Sequence, residues 1–526
     1  MQVKDGQAKA IPPRGRIGID VGGTNTDAVL MRGTEVVCWV KTPTTHDVTG
    51  GVLNALQQIM AEGQIEAAEV GSVMIGTTHF TNAVVQRRDL APTAVVRLGL
   101  PATQSLPPMV DWPEDLKIAI RAQGYMAHGG LEFDGREISA MDEAELTGIA
   151  HDIREKGIRQ IAVSAVFSPI RPGVEAEAAA VLQRAYPEAV ITLSSDIGRT
   201  GLLERESAAA LNASLRDLSS TIVNAFQQAL ADSGIQAPLY FTQNDGTLMS
   251  AEFVEQYPVL TIASGPTNSM RGAAFLSGLR EAIVVDIGGT TADVGMLHAG
   301  FPREASVAVD VGGVRTNFRM PDVISIGLGG GSLVTLDPLS VGPRSVGFRL
   351  PEESLVFGGQ TLTTSDIAVA AGLVEMGDKA LVAHLDPAQV QAGLARIQSM
   401  LADAVDRMFL SPEPVPVIVV GGGSMLATSE IAGLPTIKPQ HYQVANAVGA
   451  AIAQISGEID RVYSLAEVSR DAALAEARGE AIRRAVAAGA DPASIEIVDV
   501  EDVPLAYLPG NATRVRVKAV GGLRLA

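Results

Sequence analysis

The pattern Asp-x-Gly-Gly-Thr-x-x-Asp occurs twice in this chain of 526 residues, each time at the end of a short apolar run. The first copy reads Arg16-Ile-Gly-Ile-Asp20-Val-Gly22-Gly23-Thr24-Asn25-Thr26-Asp27. The second follows about half a chain length later as Ala282-Ile-Val-Val-Asp286-Ile-Gly288-Gly289-Thr290-Thr291-Ala-Asp293. Glycines at 22, 23, 288 and 289 let the backbone come close to a ligand without a Cβ in the way, so each turn can aim its N–H groups at phosphate oxygens. Thr24, Asn25, Thr26, Thr290 and Thr291 add side-chain donors. Asp20 and Asp286 are placed to hold Mg²⁺ through its retained waters. One copy alone would also close an ordinary hairpin. Two matched copies imply two half-sites facing one polyphosphate across a cleft.

A third strand-to-glycine junction lies further on, where the apolar run Pro416–Val420 enters Gly421-Gly422-Gly423-Ser424. Such a junction suits a purine or ribose lying on backbone at a strand end, or a tight turn into a helix. Val444–Ile455 reads as a helix of small residues, and Ser207–Ser214 has a similar composition. Small residues permit close helix approach, with or without sliding.

Around these motifs the pattern is α/β. Strands are expected at 17–20, 28–31, 35–41, 72–76, 93–98, 161–167, 239–242, 259–263 and 416–420, with helices near 52–62, 83–87, 143–156, 174–185 and 204–230. The proline-rich stretch Leu100–Pro113 is read as an irregular excursion. Alternation of strands and helices implies mainly parallel sheets wound in βαβ units. Two to four domains are expected for this length.

Composition narrows the class. Apolar residues make up 47% of the chain, yet no run approaches the roughly 18 needed to span a bilayer. Buried parallel strands and an apolar subunit interface account for that excess. A net charge of −19 argues against nucleic acid or an anionic membrane as partner. Met1–Gly15 is polar, with Pro12-Pro13, and is not read as a secretory signal. The single cysteine, Cys38, rules out an internal disulfide or a cysteine metal cluster and is read as a small core residue. A cytoplasmic protein is expected.

The five segments Asp20–Asp27, Ser207–Ser214, Asp286–Asp293, Gly421–Ser424 and Val444–Ile455 together resemble the actin-like ATPase fold shared by actin, Hsp70 chaperones and sugar kinases. They look like its two phosphate loops, its adenosine loop and its two connecting helices (207–214 and 444–455). More specific segments are Ile75-Gly-Thr-Thr-His79-Phe-Thr-Asn82, Ser264-Gly-Pro266, Ser325-Ile-Gly-Leu-Gly329-Gly-Gly-Ser332, Val341–Gly347 and Thr361–Asp366. These resemble the ATP-binding A subunit of the hydantoinase/5-oxoprolinase family. The resemblance implies duplicated actin-like (ribonuclease H-like) domains over 1–200 and 201–460, leaving a small C-terminal α/β module over 461–526. It further implies ATP and Mg²⁺ as cofactors, phosphorylation of a cyclic-amide carbonyl oxygen, and a B-type partner subunit that completes ring opening. The chain is thus expected in a hetero- or homo-oligomer. The related acetone and acetophenone carboxylases activate ketones in the same way. A free-standing small-molecule kinase and an actin-like regulatory ATPase remain as alternatives.

Asp20 or Asp286 would orient the water or position the metal, and Asp27 and Asp293 are read as holding the loops. His79, in a polar run at a strand end, is either an acid/base group, a metal ligand, a substrate donor or a residue that orders its loop. Gly329–Ser332 is either a phosphate nest or a hinge. Arg87 and Arg88 are read as a solvated helix end. Two departures from the family pattern stand out. Thr267-Asn268-Ser269 follows Gly265-Pro266 in place of Ala-Gly-Gly, and Phe348–Phe357 replaces a Pro-Gly-Pro…Cys-Tyr-Gly stretch.

Overall fold

A computed structural model describes residues 14–524 except 24, 45–47, 172, 200, 306–307, 410–413 and 507–510. The expectations for Thr24 and for Met1–Pro13 lie outside the described residues.

Two lobes are each built on a sheet that begins with the duplicated motif. In the first lobe, strands Gly15–Val21, Asn25–Arg32 and Glu35–Pro43 run antiparallel, and Val70–Thr77 joins the first of them in parallel. Leu239–Thr242 continues the sheet parallel to Val70–Thr77. The central strands carry continuous apolar burial instead of alternation, because helices cover both faces. Glu35–Pro43, at the sheet edge, alternates between exposed and half-buried positions. In the second lobe, Ala282–Ile287 pairs antiparallel with Ala292–His298 and parallel with Val417–Val420. The helix Pro387–Met408 seals that sheet, with Pro387 in its first turn and the Asp386 carboxylate capping Ala388 N–H. Its buried face runs through Val390, Ile397, Leu401 and Val405 at helical spacing.

Between Val70–Thr77 and Leu239–Thr242 of the first lobe, a parallel four-stranded sheet is inserted from Thr93–Leu100, Gln123–His128, Gln160–Ala165 and Val190–Leu193. The long helix Leu202–Asp232 joins it to the first lobe. Its Glu206 forms a buried ion pair with Arg97 at 2.5 Å, and Ser207 accepts a hydrogen bond from the Trp112 indole.

Residues 202–262 carry the long helix and the strands Leu239–Thr242 and Thr247–Ser250, which join the sheet of the first lobe. The C-terminal residues do form a helix, Arg470–Ala487, and strands, but these are built onto the same sheet. Gln454–Ser464 pairs in parallel with Thr247–Ser250, and Ala512–Gly521 and Glu496–Pro504 follow antiparallel, giving nine strands in all. The stretch 259–263, expected as a strand, is a 3₁₀ turn over Pro258–Thr261. Pro258 cannot donate to a ladder, and Val259 N–H is taken by the Asn212 side chain.

The helices between the lobes are Ser264–Ser277 and Ala445–Ile452. Ser207–Ser214, expected as one of the connecting pair, instead lies buried inside the long helix of the first lobe. Ala445–Ile452 packs on the first sheet, where a Cβ at Gly18 would meet Ala447 O at 2.2 Å. Ser264–Ser277 packs through Met270, Ala273 and Ala274 on the second sheet. The two helices cross in direct backbone contact. A Cβ at Gly272 would stand 1.8 Å from Ala445 O, and one at Gly449 would stand 1.9 Å from Asn268 O. No helix among the described residues is long and apolar enough to cross a membrane.

Candidate active site

Each motif folds into the same hairpin. The seven-residue spacing of its two aspartates sets Asp20 opposite Asp27 and Asp286 opposite Asp293. Gly22 N–H closes the first turn on Asn25 O at 3.0 Å, and Gly288 N–H closes the second on Thr291 O at 2.9 Å. Gly23 has open space where a Cβ would point. Thr26 is buried, its hydroxyl 3.2 Å from that of Thr44, whereas Thr291 is exposed and Thr290 half-buried.

The connecting helices draw the two carboxylate pairs together. Asn446 donates to Asp20 at 3.0 Å and to Asp27 at 2.9 Å. Asn268, on the other helix, reaches Asp20 at 3.4 Å and Thr242 at 2.9 Å. The next residue, Ser269, donates to Asp286 in the second lobe. One helix turn thus touches both motif aspartates. Gly76 makes room for it, since a Cβ there would stand 2.4 Å from Asn268 Nδ2 and 2.6 Å from Asp20 Oδ1.

The charges are held against their preference. Burial, then the neighbouring Asp27 carboxylate, push Asp20 up to about 6. Burial also raises Asp286, against the Ser269 hydrogen bond and the charge of Lys41. Asp293 is pushed up to about 6 by burial and by Asp286, although the Ser325 hydroxyl donates to it. The counter-charge is Lys41, whose ammonium lies 2.5 Å from Asp27. It sits on the edge strand of the first lobe and is felt by Asp286 of the second.

The glycine junction after Val417–Val420 stands beside the second hairpin. Gly421 has φ of +89°, and a Cβ there would strike Asp286 Oδ1 at 2.2 Å. Gly423 N–H is held by Ile287 O at 2.7 Å, Ser424 hydroxyl by Gly421 O at 2.5 Å, and Gly422 faces open space. Gly329–Ser332 is no phosphate nest. Its four N–H groups go to Ser332 Oγ, Gly288 O, Gly289 O and Gly329 O, so the segment buttresses the second hairpin from behind. His79 is the first residue of a helix running to Gln86, not a loop residue, and its Nδ1 lies 2.5 Å from the Thr77 hydroxyl. Burial lowers its pKa. Arg87 is spent on Asp115, Val84 O and Gly312 O.

Family profiles match this arrangement over most of its length. The hydantoinase/oxoprolinase N-terminal region matches residues 16–186, and the hydantoinase/oxoprolinase domain matches 205–408. The chain belongs to the hydantoinase/oxoprolinase family. Caprolactamase subunit alpha of Pseudomonas jessenii is 27% identical over 476 residues, 83% of this chain and 65% of that protein. The acetophenone carboxylase gamma subunit of Aromatoleum aromaticum is 25% identical over 398 residues, 68% of this chain and 53% of that one. The chain therefore spans less than two thirds of either relative's length. The fold is that of ATP-dependent caprolactamase from Pseudomonas jessenii, with TM-score 0.78 at 20% identity over 97% of this chain and 88% of that one. Nucleotide-free acetone carboxylase shares it, with TM-score 0.70 at 16% identity over 98% and 89%.

Within this hydantoinase/oxoprolinase fold, motif reading alone had missed Lys41, Asn268, Ser269 and Asn446. Asn268 and Ser269 did signal themselves as a departure after Ser264-Gly265-Pro266. Lys41 carried no local signal, because its position opposite Asp27 depends on the register of the edge strand.

Proposed function

We propose that the chain is the ATP-binding subunit of an amidohydrolase that activates a lactam or related cyclic amide by phosphorylating its carbonyl oxygen. The observation that carries this reading is the pair of mirrored hairpins, Asp20–Asp27 and Asp286–Asp293, tied across the interlobe helices by Asn446, Asn268 and Ser269. Two such turns offer N–H donors from both sides, at Gly23 and at Gly289, together with the hydroxyls of Thr290 and Thr291, while Gly22 and Gly288 close the turns themselves. Gly421–Ser424 lies where the nucleoside end would rest, beside Asp286.

Asp20 and Asp286 fit Mg²⁺. Burial raises both carboxylates and the neighbouring Asp27 adds to each, and a nearby cation would relieve them. Bound there, Mg²⁺ would neutralise the charge developing on the transferred phosphoryl group. Lys41 would contribute from the first lobe by turning from Asp27 towards phosphate oxygens. The amide oxygen lone pair forms the bond to the γ-phosphorus, and ADP leaves with the electrons of the broken bond. Water added at the ring carbon then lets the C–N bond break, opening the ring to an acyl phosphate. A second water attacks the acyl carbon, and phosphate departs with the former amide oxygen. A B-type partner is proposed for these hydrolytic steps, in keeping with relatives that are themselves named as subunits.

Phosphate release from Mg-ATP, measured with a panel of lactams, hydantoins and 5-oxoproline and with any co-purifying partner, tests the proposal. Release stimulated by one cyclic amide and matched by ring-opened product is expected. A stable phosphorylated product would establish a kinase instead, and slow release indifferent to every amide would establish a regulatory ATPase.

A further inference from the structure

We infer that His79 Nε2 is the base that takes the ring N–H proton of the amide acceptor, in a subsite whose opposite wall is Ser264 at the head of helix Ser264–Ser277. This rests on the amide-phosphorylating reading above and adds where the acceptor sits and why it must carry an N–H.

The position follows from strand register. Val70–Thr77 lies parallel to Gly15–Val21, with Gly76 beside Asp20 and Thr77 beside Val21. The chain leaving that strand at Thr78 and His79 therefore emerges at the same end as the first hairpin, and Thr78 bonds back to Val21 O. The imidazole is held on two sides. Its Nδ1 lies 2.5 Å from the Thr77 hydroxyl, and its ring meets Phe226 edge-on at 6.3 Å between centroids. That clamp leaves Nε2 as the nitrogen available to a ligand. Burial favours the neutral ring, which can accept a proton.

The opposite wall is independent of the histidine. Ser264 and Asn268 are one helical turn apart and share a face, and Asn268 packs against Asp20 and Gly76. The start of this helix lies beside the chain leaving the neighbouring strand, where a Cβ on Gly265 would lie 3.9 Å from the Thr78 methyl. Ser264 is 1% exposed, and its hydroxyl has no hydrogen-bond partner. No side chain caps this helix start either. A hydroxyl closed off without a partner is a cost that a polar acceptor would remove.

A ring amide suits this geometry because ring closure puts its C=O and N–H on one edge. With the oxygen directed at the γ-phosphoryl group between the hairpins, the N–H is directed sideways. As an oxygen lone pair forms the O–P bond and ADP leaves, the nitrogen lone pair becomes the C=N bond and the C=O π pair returns to the oxygen. The N–H proton passes to His79 Nε2 and its bonding electrons stay on nitrogen, leaving an imidate phosphate with an uncharged nitrogen, and an imidazolium.

The test compares caprolactam with N-methylcaprolactam on the wild-type chain together with any co-purifying partner, then repeats caprolactam with His79→Gln and Ser264→Ala. Caprolactam should stimulate phosphate release and N-methylcaprolactam should not. His79→Gln should lose ~10²-fold of the stimulated kcat, with the affinity for a non-hydrolysable ATP analogue kept within about twofold, which also shows that the variant folds. Ser264→Ala should raise the KM for caprolactam about tenfold with a smaller change in kcat. Equal stimulation by the N-methyl compound, or a His79→Gln rate within about threefold of wild type, would overturn this inference alone. Failure of caprolactam and every other cyclic amide to stimulate the wild type would overturn the amide reading and this inference with it.

Discussion

At the scale of single residues, the site trades stability for chemistry. Asp20 has its pKa raised from 3.8 to about 6. A folded-state value above the unfolded one means that its contribution to stability is complete below 3.8 and is lost as pH rises through about 6. Asp20→Asn removes a buried charge near neutral pH. It should raise the melting temperature of the nucleotide-free protein, by on the order of 1–3 kcal/mol of stability, while lowering phosphate release ~10²-fold or more. A variant that loses both stability and activity would show that the carboxylate is needed for the fold itself. Lys41→Gln is expected to lower kcat about tenfold or more and also to lower the melting temperature, because it leaves the buried Asp27 carboxylate without its counter-charge; steady-state kinetics and a thermal melt on one preparation check both. The aspartates and glycines of this site are legible because local spacing alone builds each hairpin. Lys41, Asn268 and Asn446 are less so, since each reaches the site from an element distant in sequence.

At the scale of elements, the account turns on two helices that cross at glycines. Gly272 and Gly449 each lie within 2 Å of a partner carbonyl oxygen once a Cβ is imagined on them. Gly449→Val should therefore force the lobes apart, costing about 2 kcal/mol or more, and should weaken nucleotide binding as well, because Asn268 and Asn446 move with their helices. Calorimetry with and without an ATP analogue checks this, and unchanged values in both would deny the crossing. The sequence signal for the helix Ala445–Ile452 was its run of small residues. Its partner was harder to read, because Ser207–Ser214 offered the same composition while Ser264–Ser277 begins with Gly265-Pro266, which looks like a turn. Small residues in the first case serve burial within a long helix. In the second the glycine in the middle, Gly272, marks the contact.

At the scale of the whole molecule, the C-terminal strands are joined to both lobes by a buried ionic network. Lys518 meets Asp245 at 2.8 Å, and Arg516 meets Glu304 at 2.6 Å. Arg319 meets Asp245 at 3.4 Å and pairs with Glu458. Burial alone would raise Glu304, but Arg319, Arg516, Lys518 and Arg199 hold it down to about 2. Its stabilising contribution is present above its ordinary 4.5 and is lost as pH falls through about 2. Lys518→Met would leave Asp245 buried without one of its partners and should cost about 3–5 kcal/mol, measured by denaturant unfolding. Nothing local in 461–526 announced this role. A helix and two strands there read as a module of their own, and only the pairing of Ala512–Gly521 with Gln454–Ser464, itself paired with Thr247–Ser250, shows which sheet they join.

The two-lobed plan itself was legible from the repeated motif, and the central claim built on it is that the amide oxygen receives the phosphoryl group. A single turnover with lactam carrying heavy oxygen in its carbonyl, followed by mass analysis of the released phosphate, tests that claim. The account predicts that the phosphate carries the label, because its fourth oxygen came from the amide. Phosphate without the label, its fourth oxygen drawn from solvent, would contradict it and make water the acceptor.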